Sequence, residues 1–470
     1  MKPIYLFTGL LFAVIIATPA EMGAQEAAAR EANTARVGTE SRVMTVEDAV
    51  QIALRSNLEI ESEMLGLEKR RRTRDTAWNR FIPTISAGTT LLRPNEGQPA
   101  FPGGPAQDPQ WNLQAEVSAM LNLNLGSIYG IRAARFDYES GLIDVVDARN
   151  RIERDVRKTF FALLVLDEQV ELRRRALEIA AARLEQTRVN FRNGLVDEFT
   201  LLAEEVSYEN QRPDLDALVN QQLAARRDFN RELGLPLTTV LDLQGRIEVE
   251  PITLNVEQLV TAGLPHATAI ARIGEAQRQI ENLIQLAKSG GDPQSRGFYP
   301  NLTFRYSVSP QFAGDPFGDP LFADVSRDWT DRGVFSITLT QPLDGFLPSS
   351  PTRTRIANLE TDLADTRVAY TATMRGLELQ VRNLVARLEQ LQSTIANRER
   401  NERLAQRAFE LAQQAYAAGT RELLELRNAE QELQTAQLQV LQGKLDYIQA
   451  LLDLRYILNM TTEELQGVNR

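Results

Sequence analysis

The 470-residue chain contains no cysteine. That excludes disulfides, thiolate metal sites and a lipid-bearing N-terminal cysteine. A single histidine, His266, excludes a histidine-rich metal centre and reads as a solitary surface or packing residue. Basic excess is missing too. The 52 Lys and Arg stand against 63 Asp and Glu, a formal charge of -11, so there is no footing for nucleic-acid phosphates. Beyond residue 20 no stretch holds 18 uninterrupted apolar residues, so any membrane span of a mature chain must be β. Walker A, G-x-S-x-G and H-E-x-x-H patterns are absent. Adjacent acids such as Glu204 and Glu205 diverge by about 100° on a helix, and solvation explains them better than acid–base catalysis. Neither an enzyme nor a cofactor is expected.

What is present begins with a secretory signal. Lys2 precedes an apolar run from Ile4 to Ala17, and small residues follow around Ala20 and Ala24, so residues 1–20 read as a cleavable leader. Segment 21–44 is Ala/Glu-rich and reads as a mobile N-terminal stretch or one wrapping the body.

The remainder is duplicated. Val46, Glu47, Val50, Leu54 and Ile60 are answered at an offset of 210 by Val256, Glu257, Val260, Leu264 and Ile270. Phe81-Ile82-Pro83 is answered by Phe298-Tyr299-Pro300, the drift fitting a small insertion near Ser289 to Pro293. Asn193-Gly194-Leu195 and Ala418-Gly419-Thr420 then match at 225, each between long heptad-like stretches. Glycine tolerates the positive φ of a helix reversal, so each marks the tip of a helical hairpin. Leu377, Val381, Leu384, Leu388, Leu391 and Ile395 step 4-3-4-3-4, a coiled-coil seam. Repeats 45–234 and 255–460 therefore each predict a half-length helix, two strands, a full-length helix, a tip and a half-length helix. The predicted half-length helices are 45–80, 199–234, 256–288 and 421–459. Pro213 should kink or break the second of them. An irregular equatorial connection, 235–254, and a tail, 461–470, complete the chain.

Between Trp111 and Leu125 apolar and polar residues alternate over 15 positions, a strong strand signal broken only by Met120. Segments 302–309 and 335–340 alternate likewise, and 84–91 more weakly. Trp111, Leu113, Val117, Leu121, Phe304 and Phe335 are the expected lipid-facing residues, and the loops 93–110 and 310–330 the expected external ones. Four strands cannot close a barrel, and lipid tolerates no open sheet edge, so several copies must share one. Three copies give a twelve-stranded ring, hence an expected homotrimer.

In this arrangement the chain, over residues 44–460, resembles the TolC-type family of outer-membrane efflux proteins. The carriers are the duplicated architecture, Val46-Glu47-Asp48-Ala49 opening a helix, aromatic-x-Pro before a strand, and the glycine tips. The resemblance implies a trimeric α-barrel topped by a shared 12-stranded β-barrel in the outer membrane and extending into the periplasm. It implies partners too: a periplasmic adaptor and an inner-membrane pump. Tip residues Gly194, Leu195, Gly419 and Thr420 become candidate adaptor contacts. Tyr416, Arg421 and Glu425 match the family's tip pattern, in which the tyrosine and arginine join neighbouring helices and acids ring the aperture. Position 200, where the first tip would carry an acid, is Thr200, and Asn428 replaces another; Asp197, Glu198 or Glu204 could substitute. The implied function is a passive exit duct for small molecules. The alternatives are a duct for type I protein secretion or a purely structural periplasmic coiled-coil protein.

Overall fold

The computed structural model describes residues 42–96, 111–312, 333–418 and 420–461, with 316–317, 319, 321, 329–330 and 464–465. The leader, most of segment 21–44, most of both expected external loops, most of the tail and Gly419 lie outside these residues.

A short strand β1 (Arg42–Met44) leads into helices α1 (Val46–Ser56) and α2 (Leu58–Asp75), then strands β2 (Thr84–Leu92) and β3 (Asn112–Leu123). The first hairpin is α3 (Gly126–Arg192) and α4 (Glu198–Glu232). After β4 (Leu241–Leu243) come α5 (Val256–Gly263), α6 (Thr268–Lys288), β5 (Asn301–Val308), β6 (Gln311–Phe312), β7 (Trp329–Thr330) and β8 (Gly333–Thr340). The second hairpin is α7 (Pro351–Ala417) and α8 (Leu423–Leu458). Both α3 and α7 have 67 residues, about 100 Å at 1.5 Å per residue.

The half-length helices depart from expectation on the strand side of each repeat. Segment 45–80 is not one helix, because Asn57 adopts an extended backbone and caps α2 by accepting from the Glu59 N–H at 2.8 Å. Segment 256–288 is interrupted by a 3₁₀ turn at Leu264–His266, where Pro265 lacks the N–H an α-helix needs. Pro213, by contrast, does not end its helix: α4 runs through it from 198 to 232. Segment 235–254 is also more regular than expected, since β4 pairs in parallel with β1, joining the start of the first repeat to its end.

The helices form four columns. The strand-side half of α3 packs against α2 and α6; its tip-side half packs against α4 and α8. In turn α7 packs against α6 and α8. Two uninterrupted helices thus alternate with two stacked columns, α2 over α4 and α6 over α8. Above them the strands run in the order β2-β3-β5-β8, each joined to the column beneath it.

Each long helix carries a core at its midpoint. Phe160 and Phe229 pack edge to face with Val156, Leu163 and Val50 in the first. Val381, Val385, Leu388, Leu454 and Leu259 form the second. Here α1 and α5, the residues matched at an offset of 210, occupy equivalent places. Thr45 opens α1 with a reciprocal capping box, its hydroxyl accepting from the Asp48 N–H at 3.2 Å. Gly234 ends α4 at φ 73 against the Ser56 carbonyl, leaving no room for a Cβ.

Candidate functional site: sheet face, column edges and tips

The strand register aligns every alternating pattern. Leu121 lies opposite Phe304 and Phe304 opposite Ile337; Ala119, Tyr306 and Phe335 form the next row, and Val117 and Val308 another. Leu113 pairs with Leu91. Trp111, just before β3, meets Phe317 edge to face. One face of the sheet is therefore continuously apolar, and Val117, Phe335 and Ile337 are exposed on it. The opposite face is polar and cross-linked: Ser86 and Ser118 are 2.9 Å apart, Thr303 donates to Asn122 at 2.8 Å, and Arg305 pairs with Glu116 at 2.9 Å. Among the described residues β2 pairs only with β3 and β8 only with β5, so both outer strands expose backbone donors and acceptors.

The outer helical columns are also unpartnered on one side. On α7, Val368, Leu379, Leu404 and Leu411 are exposed. At 3.6 residues per turn they lie within a stripe of about 40°, roughly opposite the stripe of Val381, Val385 and Leu388 that packs inward. On α4, exposed Phe199, Leu202 and Val206 lie opposite buried Glu204.

The two tips are closed differently. At the first, Gly194 sits at φ 73, and the Leu195 N–H reaches back to the Asn190 carbonyl at 2.8 Å. Asp197 then caps α4, accepting from the Thr200 N–H at 3.0 Å and from the Thr200 hydroxyl. The hydroxyl and amide of Thr200 hold the Asp197 carboxyl below its ordinary pKa. At the second tip the Thr420 N–H bonds the Ala415 carbonyl at 2.9 Å, and Glu422 caps α8 without a side-chain bond. Arg421, two residues before α8, pairs with Glu425 in the first turn of α8, not with another helix of the same protomer. That bond raises the Arg421 pKa. The hydroxyl of half-buried Tyr416 has no hydrogen-bond partner among the described residues, and Asn428 is exposed.

A group that sequence reasoning misjudged lies about three turns from the tips. Glu204 is not solvated; it is 1% exposed and accepts from Arg183 Nε at 2.8 Å. Arg183 also holds Glu430 on α8 at 2.5 Å, while Arg427 approaches Glu204 at 3.6 Å and donates to Ser207 at 3.2 Å. Burial would lower the Arg183 pKa, but its bonds to Glu430 and Glu204 outweigh this and raise it. The neighbouring Glu205 points outward to Arg188 at 2.9 Å. The 100° divergence was legible; which of the two acids faced inward was not. Among the described residues there is no cluster of three or more potential metal ligands, and no helix long and apolar enough to cross a membrane.

Residues 268–460 match the sequence pattern of the outer membrane efflux protein family. The match falls within the second of the two repeats. No curated protein matches it by sequence. Solved structures extend the likeness in fold to nearly the whole chain. The Campylobacter jejuni CmeC outer membrane channel has a TM-score of 0.72 at 13% identity, covering 90% of this chain and 89% of that one. The outer membrane protein VceC of Vibrio cholerae has 0.68 at 15%, covering 88% and 96%. The open state of the Neisseria gonorrhoeae MtrE outer membrane channel has 0.68 at 19%, covering 88% and 89%.

Proposed function

We propose that three copies of this chain form one outer-membrane channel-tunnel, the passive exit duct of a pump that expels small molecules. The observation that carries this reading is the four-stranded sheet with one continuous apolar face and two unpaired edges. In lipid each unsatisfied backbone group costs several kcal/mol, so β8 of one protomer must pair with β2 of the next until the ring closes. The unpartnered apolar stripes on α7 and α4 stand on the same two edges, so a neighbour that closes the sheet also covers them. Leu113, Val117, Leu121, Phe304 and Phe335 then face lipid, and Arg305 and Glu116 face the lumen.

A duct of this kind has no energy source, so an inner-membrane pump and a periplasmic adaptor must drive and couple it. The adaptor would meet the tips at Gly194, Leu195, Gly419 and Thr420. Tyr416 and Arg421 stand where adjacent protomers converge at the periplasmic end, with Glu425, Asp197 and Thr200 in the same ring. Exposed Arg421 can exchange Glu425 for an acceptor on a neighbour at little cost. The test is mass by light scattering in detergent, followed by conductance in planar bilayers. A stable trimer with discrete channels is expected; a monodisperse, detergent-free monomer would overturn the reading.

A further inference from the structure

The four strand–helix junctions lie at one level, between the apolar sheet face and the helical columns. Each carries an exposed arginine without a carboxylate partner among the described residues: Arg80 before β2, Arg132 early in α3, Arg296 before β5 and Arg353 in the first turn of α7. They fall into two pairs, one per repeat. Arg80 lies across Gly130 of α3, close enough that a Cβ there would collide with its guanidinium, and Arg132 stacks on the Tyr129 ring at 5.3 Å. Arg353 donates to the Gly345 carbonyl at 3.0 Å, and Gly345 packs against Gly297 and Phe298, beside Arg296.

Their charge is largely unmatched. Asp75, Asp292 and Glu360 at this level already face Arg74, Arg355 and Lys288. Among the described residues at this level, Asp344 and Glu281 remain against four arginines. The same level exposes Trp78 (58%), Phe81 (43%) and Phe346 (57%). Just below it a groove of about 610 Å³ between α3, α6 and α7 has Arg132 and Lys288 on its rim and Phe136, Ile284 and Leu363 in its lining.

We infer that this junction is a collar that binds anionic phospholipid headgroups of the periplasm-facing leaflet. The inference rests on the membrane reading above, which places the headgroup layer at the strand ends. Guanidinium pairs match a phosphodiester by charged hydrogen bonds, and aromatic rings seat at the same depth. A second copy of the chain cannot neutralise the site, because it brings the same surplus of arginine. The groove supplies an apolar wall for the start of an acyl chain, which a free phosphate would not use.

The test is native mass spectrometry of the delipidated trimer titrated with dioleoyl-phosphatidylglycerol, dioleoyl-phosphatidylcholine or inorganic phosphate. An arginine near an anionic surface contributes roughly fivefold in binding, so phosphatidylglycerol should be preferred by more than about tenfold. Phosphate in large excess should not displace it. The variant R80Q/R132Q/R296Q/R353Q should bind both lipids alike, while R400Q, an exposed arginine far down α7, should behave as wild type. If the quadruple variant does not assemble, R80Q/R132Q and R296Q/R353Q should each lose part of the preference. Equal affinity of the wild-type trimer for the two lipids, displacement by phosphate, or an undiminished preference in the variants would overturn the collar. A chain that never forms a membrane-inserted trimer would overturn the functional reading instead.

Discussion

The two hairpins have helices of matching length, yet one tip satisfies its own polar groups and the other does not. At the first, Gly194, Asp197 and Thr200 close a local circuit of hydrogen bonds. At the second, Glu422 has no side-chain cap bond, the Tyr416 hydroxyl has no partner among the described residues, and Arg421 holds only the first turn of α8. Thr200, at the position where the resemblance leads one to expect an acid, is a cap partner for Asp197. A self-contained tip gains nothing from a neighbour. A tip with idle polar groups can change partners, which is what a gate requires.

Deeper in, the hairpins are joined by the Arg183 network, and replacing its centre is the most damaging way to test the comparison. Arg183→Met leaves Glu204 and Glu430 facing each other in a buried site. We expect a loss of about 3–5 kcal/mol, seen as a large fall in thermal unfolding temperature. A near-neutral result would mean that the hairpins are held together by apolar packing alone.

The sheet offers the next contrast. Val117→Arg should cost on the order of 2–4 kcal/mol if the side chain sits near the bilayer midplane, while Ser118→Arg, on the opposite face, should be tolerated. Equal trimer yields from both variants in an assembly assay would contradict the assigned faces.

Asp197→Ala should lower the unfolding temperature at neutral pH by removing the cap. Its folded pKa lies below the unfolded value, so this contribution is present above the unfolded pKa and fades as pH falls through the folded one. Below that point variant and wild type should melt together. A difference that persists in strong acid would assign the effect to something other than the carboxylate.

The smallest structural effect belongs to the second tip. Arg421→Ser should leave trimer formation and melting unchanged, because the ion pair with Glu425 is solvent-exposed. Single-channel conductance should nevertheless rise, and rise further in Arg421→Ser/Tyr416→Phe. Unchanged conductance in both would show that these residues do not restrain the aperture.

Much of this architecture was legible in one dimension. Period-two alternation from Trp111 to Leu125 and 4-3 stepping in α7 are properties of a chain whose elements bury one face, so they survive without knowledge of partners. Glycine at 194 was legible because few other residues adopt that backbone. The breaks at Asn57 and Pro265 were less so, since an asparagine that caps and one that sits on a helix look alike in sequence.

Heptads, alternation and turn residues by themselves determined that this protein is a pair of duplicated helical hairpins carrying amphipathic strands, because such patterns record local geometry. Only the tertiary structure decided that Glu204 and not Glu205 is buried, that α3 and α7 alternate with stacked half-columns, and that the strand register brings all four apolar patterns to one face. The reason is that each depends on which surfaces meet across more than a hundred residues of sequence, and no period along the chain encodes a partner.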